Sequence, residues 1–163
     1  MLVKIKDIVL SKSFLTLAMI IFIIPYIYSI MPIRIDITQQ SSLPYKLWIT
    51  YKDLSIDSDY VLFIPPKTKY TQQDNLQYLK KVICKENDYL QVNSNKEFYC
   101  NSKFIGKASD YDFHLNPVDY FKFNGVIPKD KYFVVGTHKL SYDSKYFGFI
   151  DKKSILRKAK PIL

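Results

Sequence analysis

Arginine, histidine, cysteine and glycine are all scarce in this chain of 163 residues, and each shortage narrows what the chain can be. Only Arg34 and Arg157 are arginines; the rest of the 24 basic residues are lysines dispersed along the sequence. The formal net charge of +9 therefore does not gather into a groove for a phosphate backbone, and no nucleic-acid partner is expected. His114 and His138 are the two histidines, with no H-x-x-H spacing and no cysteine pair beside them, so no metal site and no cofactor is expected. Both read as surface or supporting residues. Cys84 and Cys100 are the two cysteines, and they allow one bridge at most. There is no internal repeat and no Gly/Ser linker. With 48% hydrophobic and 16% aromatic residues, the chain has the means to build one folded domain and is not disordered.

The longest stretch without charge is "SFLTLAMIIFIIPYIYSIMPI", Ser13 to Ile33. Its length is close to the ~20 apolar residues that a helix needs to cross the hydrocarbon core of a bilayer. It ends without the small residues of a signal-peptide cleavage site, so the expectation is a retained anchor over 13–33, with Pro25 tolerated inside it. Lys4, Lys6 and Lys12 precede the run and place residues 1–12 in the cytoplasm, with 34–163 outside.

Beyond Arg34 the sequence alternates short apolar-aromatic runs with clusters of Asn, Asp, Lys and Pro, the pattern of a mainly β domain. Strands are predicted over Lys46–Tyr51, Tyr60–Ile64, Tyr78–Cys84, Tyr89–Val92, Glu97–Cys100 and Tyr132–Gly136. Pro65 and Pro66 end the second of these, since neither can donate to a ladder. The basic stretch "DKKSILRKAK", Asp151 to Lys160, reads as a solvated tail, with contact to anionic lipid as the alternative. Cys84 and Cys100 each close a predicted strand. They are either a disulfide, which a location outside the cytoplasm would favour, or two buried thiols.

Two residues in these segments carry chemistry. In "YLKKVIC", Tyr78 to Cys84, strand alternation puts one of two lysines on an apolar face, where desolvation lowers an ammonium pKa towards that of a usable base. Taken alone, an edge strand with its lysines reaching water is the simpler explanation of the pattern. In "ITQQSSLPYKLWI", Ile37 to Ile49, adjacent serines precede a proline; a serine hydroxyl becomes a nucleophile when a neighbouring base takes its proton, and lysine is one such base.

With these stretches in this order, the sequence resembles the type I signal peptidases and, among them, the shorter conjugative-transfer peptidases of the TraF type. "SLPYKLW", Ser42 to Trp48, is similar to the S-x-P-x-G-L-Y pattern, which selects Ser42 over Ser41. "YLKKVIC" is similar to the L-K-R-V strand, whose first basic residue falls on Lys80. "GTHKLSYDSKYFGFI", Gly136 to Ile150, is similar to the G-x-N-x-x-S-x-D-S-R-x-x-G box, and "SYDSKYFG" follows it with one Arg-to-Lys change.

The resemblance implies a signal-peptidase-like β domain behind one transmembrane helix, at the bacterial inner membrane with its catalytic part on the periplasmic side. It implies Ser42 as nucleophile, Lys80 as general base, Ser141 as the residue that orients the lysine, and Asp143 with Lys145 as a brace. Gln40 falls where the family often has a group assisting the oxyanion hole, and a Gln amide can donate that bond. Lys145 replaces the usual Arg and lacks its planar fork, so a weaker pair with Asp143 is expected. The implied substrate is a secreted or pilin-like precursor, cleaved and in some relatives cyclised, with membrane lipid and a conjugation or type IV secretion apparatus as partners. The alternatives are a general housekeeping signal peptidase and a catalytically silent membrane-anchored scaffold.

Overall fold

The computed structural model describes residues 12–38, 42–55, 57–112 and 114–162. The chain divides into two compact units, Met1–Arg34 and Ile35–Leu163. The first contains helix α1 (Lys12–Ile30), with Pro25 inside it and its apolar side chains exposed around its whole circumference. Among the described residues no helix is long and apolar enough to cross a membrane. The expected span over 13–33 is therefore not shown: α1 closes at Ile30, and the chain is extended again from Ile33 in β1 (Ile33–Ile37).

The second unit is mainly β, as the aromatic and β-branched runs require. Its strands are β2 (Leu47–Tyr51), β3 (Tyr60–Phe63), β4 (Tyr78–Lys85), β5 (Tyr89–Val92), β6 (Glu97–Cys100), β7 (Lys103–Lys107), β8 (Gly125–Val126), β9 (Lys131–Val135), β10 (Ile150–Asp151) and β11 (Ile155–Pro161). Among the described residues they form a seven-stranded sheet, β1-β2-β11-β3-β4-β9-β10, and a four-stranded sheet, β7-β6-β5-β8. A four-residue helix, α2 (Ser144–Phe147), follows β9.

The basic C-terminal stretch is a correction to the sequence reading. It is no solvated tail: β11 lies between β2 and β3, pairing Ala159 with Thr50 on one side and Lys158 with Val61 on the other. Alternation explains how so charged a segment enters a sheet. Ile155, Arg157 and Ala159 are buried, whereas Leu156 and Lys158 between them are half-buried and Lys160 is exposed.

Alternation also fails at one place in β4. The pairing with β9 slips between Val82, opposite Val134, and Cys84, opposite Phe133, so the strand takes an irregular step there. Val82 consequently packs in a cluster with Val61, Phe63 and Val134, whereas Cys84 packs in another with Leu90, Phe98 and Phe133. The slip turns Cys84 towards the smaller sheet, where it is joined to Cys100 of β6, with Cα atoms 5.9 Å apart.

That bond ties the two sheets together across 16 residues of sequence. Reducing it, or replacing both residues with Ala, is expected to lower the unfolding free energy by about 3 kcal/mol, seen as a lower urea midpoint. An unchanged midpoint would mean that the bond constrains nothing in the unfolded chain.

Candidate active site

β4 runs through the middle of the larger sheet, between β3 and β9. Its register puts Lys80 opposite the fully buried Val61, so Lys80 is the lysine that shares the apolar face. It is 2% exposed, whereas the Lys81 side chain reaches the Asp59 carboxylate at 3.9 Å and keeps 36% of its surface in solvent. Lys80 Nζ donates to Ser141 Oγ at 2.9 Å and lies 5.4 Å from the centre of the Tyr78 ring. Burial lowers its pKa from 10.5 to about 8; the Asp143 charge opposes the shift and the Lys145 charge adds to it.

Ser141 is delivered by the turn after β9, closed by its N–H donating to the His138 carbonyl at 2.9 Å. The next residues dock onto the end of β9. Asp143 Oδ2 accepts from the Gly136 N–H at 2.9 Å, and Ser144 Oγ accepts from the Val134 N–H at 2.9 Å. These two side chains satisfy β9 backbone donors that would otherwise be buried without a partner. Asp143 also caps α2 through the Lys145 N–H, and its two oxygens accept from Lys145 Nζ at 2.8 and 2.7 Å. A single ammonium thus straddles both oxygens of a carboxylate that is 0% exposed. It replaces with one nitrogen the two parallel bonds that an Arg fork would make.

Ser42 is half-buried, and its carbonyl accepts from the Thr137 N–H at 2.8 Å and from Thr137 Oγ1 at 3.3 Å. Its backbone is thereby held to the segment that leads into Ser141. The structure brings Lys80, Ser141, Asp143 and Lys145 into one buried cluster with the Ser42 backbone beside it. It does not join Ser42 Oγ to Lys80 Nζ by a hydrogen bond; among the described residues the lysine's partner is Ser141. Gln40 lies outside the described residues.

Gly136 is a residue that the motif reading left without a role. A Cβ there would stand 2.2 Å from Ser141 Oγ and 2.8 Å from the Ser42 carbonyl oxygen. Space, and not an unusual φ, demands glycine. With Val135 opposite Lys81 in the ladder, Gly136 is the next residue along, at the level of Lys80. The signal was in the sequence, since this is one of only four glycines and it opens the third motif.

His138 is exposed and its Nδ1 accepts from the Leu140 N–H at 3.2 Å, bracing the same turn; His114 is exposed on a loop. Cys84, Asp88 and Cys100 cluster closely enough to suggest metal ligands, but both sulfurs are spent in the disulfide and offer no thiolate.

The sequence matches a known family. The family model described as "Signal peptidase, peptidase S26" matches residues 7–163, and the chain belongs to that family. It is similar to the signal peptidase I of Buchnera aphidicola subsp. Schizaphis graminum (strain Sg), with 28% identity over 134 residues. That match takes in 80% of this chain but 40% of the relative's length. Among solved structures, a signal peptidase I from Enterococcus faecalis V583 aligns with a TM-score of 0.39 and 18% identity, over 64% of this chain and 92% of that one.

Two outcomes are expected from this geometry. Gly136→Ala should destabilise the fold by about 1–3 kcal/mol through overpacking, measured by urea unfolding; wild-type stability would mean that Ser141 and Ser42 yield easily. Lys80 should tie stability to pH. Between about pH 8 and its ordinary 10.5, the unfolded chain holds this proton and the folded chain does not, so the group's contribution to stability rises with pH across that window. The gain in stability of Lys80→Met over wild type should therefore be largest below pH 8 and shrink towards pH 10.5. A gain independent of pH would rule out the lowered pKa.

Proposed function

We propose that this chain is a membrane-anchored serine endopeptidase of the signal peptidase I type, with Ser42 as nucleophile and Lys80 as general base. The observation that carries the reading is the burial of Lys80 beside Ser141 Oγ, 2.9 Å from its Nζ. With a pKa of about 8, roughly a tenth of the lysine is free amine at neutral pH, against a negligible fraction of an exposed lysine.

Ser42 Oγ attacks the scissile carbonyl carbon while the Lys80 amine takes the hydroxyl proton. The oxyanion is stabilised by the Ser42 N–H and by the Gln40 amide. Lys80 then returns its proton to the leaving amine, and water, deprotonated by the same lysine, releases the acyl group from Ser42. Ser141 accepts a hydrogen bond from Lys80 without adding a charge and so aims the lysine while leaving its pKa low. Catalytic hydrogen bonds are often long before substrate binds, and the Ser42–Lys80 bond forms as the precursor closes the site.

The near match of "SYDSKYFG" to the TraF-type box favours a conjugative or type IV secretion setting and a pilin-like precursor, whose acyl-enzyme an amine could resolve into a ring. Anchoring in a membrane is supported by α1, whose exposed apolar side chains call for an apolar surrounding, and residues 34–163 fall on its outer side by the charge of Lys4, Lys6 and Lys12 before the apolar run.

The test is mass spectrometry of pilin-like and signal-peptide-bearing precursors co-expressed with wild type, Ser42→Ala or Lys80→Ala. Processing by wild type alone is the expected result, with kcat/KM rising with pH and levelling above about pH 8 as Lys80 deprotonates. A product lighter by one water than the trimmed chain identifies cyclisation. Processing that survives in both variants would overturn the assignment of nucleophile and base, and no processing of any precursor would favour the silent scaffold.

A further inference from the structure

A cleft of about 230 Å³ opens beside the Lys80 cluster, with Tyr70, Tyr111, Val118, Leu140, Tyr142 and Tyr146 in its walls. Its link to the cluster is both covalent and aromatic. Tyr142 follows Ser141 directly, and Leu140 precedes it. Tyr78, whose ring lies under the Lys80 ammonium, sits on the same face of β4 two residues earlier. From Tyr78 ring contacts run through Phe63 at 6.3 Å and Phe147 at 6.3 Å to Tyr142 at 5.6 Å. Tyr142 in turn meets Tyr70 at 4.8 Å and stacks on Tyr146 at 5.5 Å.

The walls of the cleft present carbon. Tyr70 donates its hydroxyl to Asp112 Oδ2 at 3.0 Å, the Tyr142 hydroxyl bonds Thr68 Oγ1 at 3.0 Å, and the Tyr146 oxygen accepts from the Ser109 N–H at 2.9 Å. Asp112 is the one carboxylate in the lining, and it is engaged by the Tyr70 hydroxyl and by the backbone N–H groups of His114 and Asn116. Leu140 and the exposed Tyr111 keep the cleft open to solvent. An aromatic slot in which the Tyr70, Tyr142 and Tyr146 oxygens and the Asp112 carboxylate are engaged, with Tyr111 and His114 at its edge, suits one large apolar side chain; it is too small for a folded partner.

We propose that this cleft is a specificity pocket for the substrate polypeptide, taking one bulky apolar or aromatic side chain a few residues from the scissile bond. The proposal rests on the peptidase reading, which puts the substrate across Ser42 and Lys80. Tyr142 follows Ser141, the partner of Lys80, and an extended chain advances about 3.3 Å per residue, so the residue that meets Tyr142 in this scheme is a few positions from the cut. Tyr142 and Tyr70 are specificity-determining residues in this scheme and take no part in bond breaking.

The experiment uses alanine-rich peptides with a single Phe walked through the positions on either side of the cut. The readout is the ratio of kcat/KM for each Phe peptide to that of the all-alanine peptide, which does not depend on how much enzyme is folded. At one position the ratio should be about tenfold or more in wild type, persist in Tyr142→Phe and fall to near one in Tyr142→Ala. In parallel, calorimetry with the full chain carrying Ser42→Ala should show the same peptide binding about tenfold more tightly than the all-alanine one. Adding Tyr142→Ala should abolish that preference. A flat scan with active wild type overturns the pocket and leaves the peptidase reading standing. If wild type cuts nothing, the peptidase reading fails, and the binding arm decides the pocket: equal affinities overturn it, and a Tyr142-dependent preference supports it.

Discussion

The Asp143 carboxylate is the constraint on which the site depends. It is wholly buried, and it is tolerable there because every direction it faces holds a donor: the Lys145 ammonium across both oxygens, the Lys145 N–H and the Gly136 N–H. These bonds join two elements. Lys145 supplies its ammonium and its N–H from the start of α2, and the Gly136 N–H comes from the residue that follows β9. Ser141, two residues before Asp143, is carried into place against Lys80 as a result. Breaking a buried pair of this kind by removing one partner typically costs 3–5 kcal/mol, since the remaining charge stays uncompensated.

The same dry surroundings hold two lysines with different partners. Lys145 donates to both oxygens of a carboxylate, whereas Lys80 donates to a neutral hydroxyl, and burial penalises its charge. Replacing the Ser141 hydroxyl by a carboxylate would give Lys80 a counter-ion and raise its pKa again. The cluster thus distinguishes its two lysines by the charge of each one's partner, not by the lysine itself.

Much of this was legible in the sequence. The mainly β character of residues after Arg34 followed from aromatic runs broken by turn residues, and β5 and β6 have the expected bounds. β11 was misread because its lysines hid the period-two burial of Ile155, Arg157 and Ala159; charge is a poor guide where long side chains can reach outward from a paired strand. The slip in β4 was also invisible, since an extra residue in a strand leaves no mark in local composition. Helix α1 follows the apolar run only as far as Ile30, because the chain turns extended at β1.

By itself, the sequence determined that one of two lysines in an apolar strand shares its apolar face and that a serine precedes a proline, because residue type and strand periodicity are local properties. The box ending in "SYDSKYFG", and with it the choice among these groups, came from the resemblance to the family. Which lysine is buried, what it touches and what else surrounds it were decided by the tertiary structure. Val61 of β3 covers Lys80 on one side, Gly136 leaves room for Ser141, and the aromatic chain to Tyr142 opens a cleft beside them. Desolvation and steric fit depend on neighbours brought in from distant parts of the chain, and only folding supplies them.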